Sequence, residues 1–183
     1  YAKEFSEDKN RALDRLKQGY MDGLPWYTAS RVKRGTDPQQ LLPGARSIIC
    51  LGINYFQPTS YYKQGINDNN TGRIANYAQG KDYHKLIKKR MRSFVAEMSS
   101  ILGKEFSAKW YVDDGPMLDR AAANRSGLGW FGKNTNILTT DHGSWVFLGQ
   151  VITDLTLLPD APLKKNCGTC KICIDECPTQ AII

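Results

Sequence analysis

The stretch Cys167-Gly168-Thr169-Cys170-Lys171-Ile172-Cys173-Ile174-Asp175-Glu176-Cys177-Pro178 decides how the rest of the chain is read. Four thiols spaced x2, x2 and x3, closed by a proline, form the ferredoxin-type run for a four-iron four-sulfur cluster. The short spacers let successive thiolates wrap one cubane while the chain turns around it. A zinc site uses two spaced pairs instead, and a disulfide framework needs an oxidising compartment. In two-cluster ferredoxins the fourth cysteine of such a run ligates the other cluster, and only six residues follow Cys177. Either Cys177 completes one local cluster, or the chain is a fragment whose remainder carries a second cysteine run; we take the fragment as the expectation. The fifth thiol, Cys50, sits in an apolar segment and reads as buried and inert.

An iron-sulfur centre passes single electrons, so the residues before the run should hold the group that receives them. Those residues are ample for a domain: the chain has 183 residues, of which 41% are hydrophobic, 10% aromatic and 23% charged. This composition belongs to a globular protein and excludes collagenous, low-complexity and wholly disordered classes. No apolar run approaches the roughly 20 residues that span a bilayer, and the polar, mixed-charge start is unlike a signal peptide. A cytoplasmic protein without membrane association is expected. Lysine and arginine number 25 against 18 acidic residues, a net charge of +7. That surplus suits a polyanionic partner, although a solvated cationic face accounts for it equally well.

Periodicity places an opening helix over Glu4 to Lys17 and a loop over Gly23 to Pro38. The run Ser47 to Ile53 reads as a central strand covered on both faces, and Gln57 to Gly80 as a long functional loop. Asp82 to Leu102 is the clearest helix: Tyr83, Ile87, Met91, Phe94, Met98 and Ile101 recur at helical spacing, with lysines and arginines elsewhere on the cylinder. A short strand over Ala108 to Val112 runs into Asp113-Asp114-Gly115-Pro116. Pro116 suits the first position of a helix that Gly127 stops, with Asp114 as its cap. Ile137 to Thr140 and Trp145 to Thr153 read as a hairpin turning at Asp141-His142-Gly143. The composition changes after Pro159. We therefore expect domains at 1–158 and 159–183. The cluster Gly127, Gly129 and Gly132 with Lys133, Asn134, Thr135 and Asn136 fits neither a Walker nor a Rossmann pattern, and reads as a tight turn or a backbone-lined wall for a large polar-rimmed cofactor.

Six motifs in order carry a resemblance: Leu42-Pro43-Gly44-Ala45-Arg46-Ser47; Arg73-Ile74-Ala75-Asn76-Tyr77-Ala78 with Lys81-Asp82-Tyr83-His84; Asp113-Asp114-Gly115-Pro116; Gly127-Leu128-Gly129-Trp130 with Gly132-Lys133-Asn134-Thr135; Gly143-Ser144-Trp145 with Phe147-Leu148-Gly149; and the cysteine run. Together they resemble epoxyqueuosine reductase. The resemblance implies an α+β protein: a nitroreductase-like cobalamin-binding domain followed by a ferredoxin-type iron-sulfur domain that is truncated here. It implies an oxidoreductase that reduces the epoxide of epoxyqueuosine to the alkene of queuosine at the wobble position of tRNA with a GUN anticodon. Its cofactors would be cobalamin and two 4Fe-4S clusters in a full-length chain, fed by a low-potential electron donor, in a monomer.

By motif position Asp113 is implied as proton donor and corrin contact, with Tyr83 and His84 near the substrate. Asn76, Asn134, Asn136, Ile137, Ser144 and Leu148 are implied as further cobalamin contacts, and Cys167, Cys170, Cys173 and Cys177 as iron ligands. Removing an epoxide oxygen with two electrons leaves an alkoxide or hydroxide, which makes an acid necessary. A helix start beside Asp113 would favour its carboxylate; burial against the corrin and repulsion from Asp114 would favour the acid, and these are expected to win. Lys81, Lys85, Lys88, Lys89, Arg90 and Arg92 form the basic face offered to anticodon phosphates. His142 is read as exposed and is not expected to ligate cobalt. Two rivals share part of this logic. A reductive dehalogenase would have no reason for a basic surface, and a non-catalytic ferredoxin-like electron carrier leaves a whole domain unexplained.

Overall fold

The fold is that of a computed structural model describing residues 1–57 and 74–182. Its centre is a three-stranded antiparallel sheet of β1 (Ser47–Asn54), β2 (Ala108–Tyr111) and β5 (Val146–Thr153), ordered β1-β5-β2. Register runs from Ser47 opposite Thr153 to Asn54 opposite Val146, and from Ala108 opposite Thr153 to Tyr111 opposite Gln150. A pair of two-residue strands, β3 (Trp130–Phe131) and β4 (Ile137–Leu138), forms a separate ribbon.

Side-chain alternation along β5 builds two cores. Val151 faces Ile87 and Met91 of α4 (Tyr83–Leu102) together with Val112. Ile152 faces Phe5, Leu41, Met117 and Ala122, contributed by the chain start, α3 (Pro38–Leu41), the loop before α5, and α5 (Asp119–Arg125) itself. Both faces of β5 are thus covered, and both valine and isoleucine are fully buried. The covered central strand is β5, not β1 as expected from the apolar run, because β1 lies at a sheet edge with its C-terminal half partly exposed. An unbroken apolar run identifies a packed strand without saying whether it has one neighbour or two.

The opening helix is α1 (Ser6–Lys17), and α4 starts at the Asp82 cap and ends at Gly103, whose φ of +60° suits glycine. Ile87 and Met91 are buried in the core and Val95 packs against it, whereas Phe94 and Ile101, expected in the apolar stripe of α4, are exposed. The expected loop between Gly23 and Pro38 instead contains α2 (Ala29–Thr36), capped by the Thr28 hydroxyl, which accepts a hydrogen bond from Arg31 N. It buries Val32, Gly35 and Thr36, a stripe too short to stand out against its charged neighbours.

The expected hairpin is also corrected. β4 pairs back onto β3 through Trp130–Leu138 and Phe131–Ile137, while β5 joins the main sheet. What remains between them is one bridge, Thr139 to Gly143. Pro116 does not open a helix: α5 begins at Asp119 and stops before Gly127, whose φ is +74°. The short helix α6 (Ile172–Asp175) carries Cys173. Residues 58–73, including Arg73 and most of the expected long loop, lie outside the described residues; Asn76–Ala78 forms one 3-10 turn.

Candidate functional site

Where β2 ends, the chain turns sharply at Asp113, whose φ is +45°, a conformation that L-residues other than Asn and Asp seldom adopt. The turn aims the carboxylate at the first turn of α4. Tyr83 Oη donates a 2.5 Å hydrogen bond to Asp113 Oδ2, and His84 Nε2 lies 2.6 Å from Asp113 Oδ1. The other imidazole nitrogen, Nδ1, is 2.8 Å from Asp82 Oδ1, the same oxygen that caps the helix by accepting from His84 N at 3.0 Å. Three residues placed by motif, Tyr83, His84 and Asp113, are therefore brought together. Asp82 joins them; its cap signal is visible in sequence, but its grip on the imidazole is not.

The tyrosine and histidine rings stack at 4.1 Å, and Tyr83 stacks on Phe147 of β5 at 3.8 Å with planes 10° apart. Phe147 packs on Tyr55, and Tyr55 and Phe56 meet Trp145 edge-on. This aromatic row leads from Asp113 to the end of β1 and β5, where Phe56 and Trp145 stay exposed. Burial, reinforced by the Asp113 carboxylate, pushes the Tyr83 phenol up, so it stays protonated and donating. Burial works against a charged His84, yet Asp82 and Asp113 outweigh it and raise the imidazole above its ordinary value.

Two expectations about the acid change. The chain after Asp113 does not enter a helix at once, since α5 begins only at Asp119; the helix start that faces its carboxylate is that of α4. Asp114 is no helix cap either: its Oδ1 accepts from Val112 N, and Oδ2 pairs with Lys88. That pair takes Lys88 out of the free basic face, leaving Lys81, Lys85, Lys89, Arg90 and Arg92 exposed. The loop is propped by α2: Arg31 Nη2 donates to Gly115 O at 3.1 Å, and a Cβ on Gly35 would stand 1.9 Å from Pro116 O.

The residues expected to contact a cofactor distribute along two edges. Asn134 and Asn136 lie in the β3–β4 turn, where Asn134 Oδ1 accepts from Asn136 N. Ile137 is 3% exposed and packs against Gly129, so its side chain is not open to a ligand. Ser144 and Leu148 are half-buried around the start of β5, and Asn76 opens the 3-10 turn. Amides and a hydroxyl are the chemistry that a corrin's propionamides would meet. Lys133, in the same turn, donates at 2.9 Å to both Gly168 O and Cys170 O, tying it to the cysteine run. Sequence marked Lys133 only as part of a glycine-rich cluster.

All four run cysteines are free thiols. Backbone N–H bonding, led by Ile182, holds Cys177 below its ordinary value, which favours a thiolate. This donor set fits iron-sulfur ligation, although among the described residues no three Cys, His, Asp or Glu side chains converge beforehand. Cys50 is pushed up to about 11 by burial, as expected for an inert thiol. His142 is exposed. A further buried polar group, missed in sequence, is Asp119: its Oδ1, with both amide atoms of the fully buried Gln150, lacks a hydrogen-bond partner among the described residues.

Residues 35–114 match the family model described as Epoxyqueuosine reductase QueG, DUF1730. An epoxyqueuosine reductase from Synechocystis sp. is 37% identical over 98% of this chain and 60% of its own length. The chain is similar to epoxyqueuosine reductases along nearly its whole length. The epoxyqueuosine reductase of Vibrio cholerae is likewise 37% identical over 98% of this chain, and 48% of its own length. The chain thus spans about half to three-fifths of the length of those curated relatives. A crystal structure of selenomethionine-labelled epoxyqueuosine reductase superposes with a TM-score of 0.86 at 31% identity, covering 99% of this chain and 47% of that one. Another epoxyqueuosine reductase, solved with an epoxyqueuosine-modified tyrosine tRNA stem loop, gives 0.78 at 29% identity over 99% and 47%. A Bacillus subtilis neighbour, 0.75 at 28% over 99% and 47%, has an aspartate catalytic loop swung out of the active site. Among the described residues no helix is long and apolar enough to cross a membrane.

Proposed function

We propose that this chain is the catalytic part of an enzyme that reduces epoxyqueuosine to queuosine in tRNA, with Asp113 as the acid. The single observation that carries the reading is the Asp113 carboxyl held between Tyr83 Oη and His84 Nε2 at the rim of an aromatic row. The aspartate catalytic loop of the Bacillus subtilis neighbour and the modified stem loop bound by another support it.

The overall change removes one oxygen: an epoxide, two electrons and two protons give an alkene and water. Cobalamin, when bound, supplies two-electron chemistry at carbon, and two 4Fe-4S clusters, one begun by Cys167, Cys170, Cys173 and Cys177, relay electrons from a low-potential donor. Asn76, Asn134, Asn136, the Ile137 backbone, Ser144 and Leu148 would hold the corrin. What this chain's own side chains do is hold and move a proton. Asp113 protonates the epoxide oxygen as its first C–O bond breaks, giving a hydroxyl rather than an alkoxide, and a second proton, drawn from solvent, lets that hydroxyl depart as water when the second C–O bond breaks. Tyr83, itself kept protonated, fixes the carboxyl through Oδ2. The basic residues Lys81, Lys85, Lys89, Arg90 and Arg92 attract anticodon-loop phosphates, a contact that weakens with salt. In this reading residues 1–158 form the nitroreductase-like cobalamin domain, and 159–183 begin a ferredoxin domain completed in the longer polypeptide.

The test uses the complete native polypeptide, anaerobic, with cobalamin, a low-potential reductant and an epoxyqueuosine stem loop. Asp113→Asn is expected to keep the corrin absorbance while turnover falls about 100-fold or more, in line with loss of a positioned acid. Turnover at the parental rate would remove Asp113 from the mechanism, and absence of a corrin band with parental activity would remove cobalamin.

A further inference from the structure

We infer that Asp82 is a positioning residue: it holds His84 in the Nδ1–H form, so that Nε2 reloads Asp113 with its proton after each turnover. The inference rests on Asp113 acting as the acid, and extends that reading to a residue outside it.

The proton count follows from the contacts. An ionised Asp82 offers only acceptors, so the 2.8 Å approach of Nδ1 requires a hydrogen on that nitrogen. With Nδ1 committed, Nε2 is the only ring position able to exchange a proton, and it faces Asp113 Oδ1 at 2.6 Å. One proton must lie on that line. Either the imidazolium donates Nε2–H to an Asp113 carboxylate, or a protonated Asp113 donates to a neutral Nε2. Tyr83 occupies the other carboxyl oxygen as donor, so the Nε2–Oδ1 line is the proton route that this chain's own side chains provide. After Asp113 gives its proton to the substrate oxygen, the neutral Nδ1–H imidazole takes up one proton from solvent at Nε2 and passes it to Oδ1, which restores the single proton on that line. No bond other than O–H and N–H changes in this step.

The arrangement is the carboxylate–imidazole geometry that fixes a tautomer and raises the basicity of the far nitrogen. The charged groups facing the imidazole are Asp82, from the α4 cap, and Asp113, from the loop after β2; Lys85 acts on Asp82, and the stacked Tyr83 is neutral. Asp82 has a second task that a structural account would stop at, since the same Oδ1 caps α4. The two tasks separate by substitution. Asn caps as well as Asp, and its carbonyl still accepts from Nδ1, but it lacks the charge. Ser caps the backbone yet is too short to reach the ring.

The experiment uses the complete polypeptide, with Asp82→Asn and Asp82→Ser beside the parent, and reads both the ring nitrogens by 15N NMR and the pH profile of stem-loop reduction. Asp82→Asn is expected to keep the Nδ1–H form, lower the imidazole titration by about one pH unit, and move the alkaline limb of turnover down by the same amount. Asp82→Ser is expected to keep helix content, mix the tautomers, and reduce turnover about tenfold or more at every pH. The NMR arm needs no turnover: if the parent reduces nothing but its ring shows the Nδ1–H form that Asp82→Ser loses, the tautomer hold stands and the reductase reading fails. An unchanged tautomer and titration in both variants would overturn the role of Asp82. A ring titration that moves while the turnover limb stays put would overturn His84 as the proton source.

Discussion

Replacing Gly35 by alanine tests whether α2 sets the position of the acid. The added Cβ would stand 1.9 Å from Pro116 O and 2.9 Å from Pro116 C. Ordinary contact begins near 3.4 Å, so the helix and the 113–116 loop must separate by about 1.5 Å. The obstructing atoms are backbone, which a rotamer change cannot move. Alanine in a helix is better than glycine by roughly 1 kcal/mol, whereas overpacking of this severity costs roughly 3 kcal/mol. The variant is expected to be about 2 kcal/mol less stable, read from the urea midpoint at constant slope. Because Asp113 lies three residues from the displaced carbonyl, a loop shift of about 1 Å should lower turnover some 10- to 100-fold. The refuting result is a variant stabilised by the alanine propensity alone, with turnover unchanged; α2 would then not abut the loop.

Two further perturbations follow from buried and bridging groups. Burial pushes the Asp119 carboxyl from 3.8 to about 6, with the Asp113 charge adding to it. A carboxyl raised in the folded state binds its proton more tightly there, so stability is full below about pH 4 and is lost as pH rises through about 6. Asp119→Asn is therefore expected to be more stable than the parent at pH 7, by on the order of 1–3 kcal/mol, and to lose that advantage at pH 4, measured by denaturant titration at both values. Lys133→Met removes both hydrogen bonds to the cysteine run. Amide exchange at Cys167 to Cys170 is expected to quicken while exchange in β5 stays unchanged; equal protection in parent and variant would show that the lysine does not hold the run.

How far sequence reaches is clearest at α4. The helix and the Tyr83 and His84 that open it are local signals that the structure keeps, whereas Phe94 and Ile101 of the expected stripe are exposed. The site itself needed a contact across thirty residues, from Tyr83 to Asp113. Motif order put both near the substrate, but only the fold shows that they share a hydrogen bond. Strand partners were less legible: Ile137-Leu138 and Val146 to Thr153 have similar apolar character, and nothing local tells β4 to pair with β3 rather than β5. α2 was hidden for a related reason, since its buried contribution rests on Gly35 and Thr36, residues whose packing leaves no periodic hydrophobic mark. Asp119 and Gln150 are polar types that composition assigns to the surface; their burial is a property of where α5 lands on β5.

The left-handed backbone at Asp113 gives the loop a particular mechanical character. A residue in that basin sits above the broad extended basin by an energy comparable with one or two hydrogen bonds, and here Tyr83 and His84 are what hold it. In the proposed mechanism the aspartate would therefore also serve as a latch: whatever weakens its grip on those two rings would let the backbone at Asp113 leave that basin. Chemistry and the opening of the mouth through which a product departs would then share one small catch.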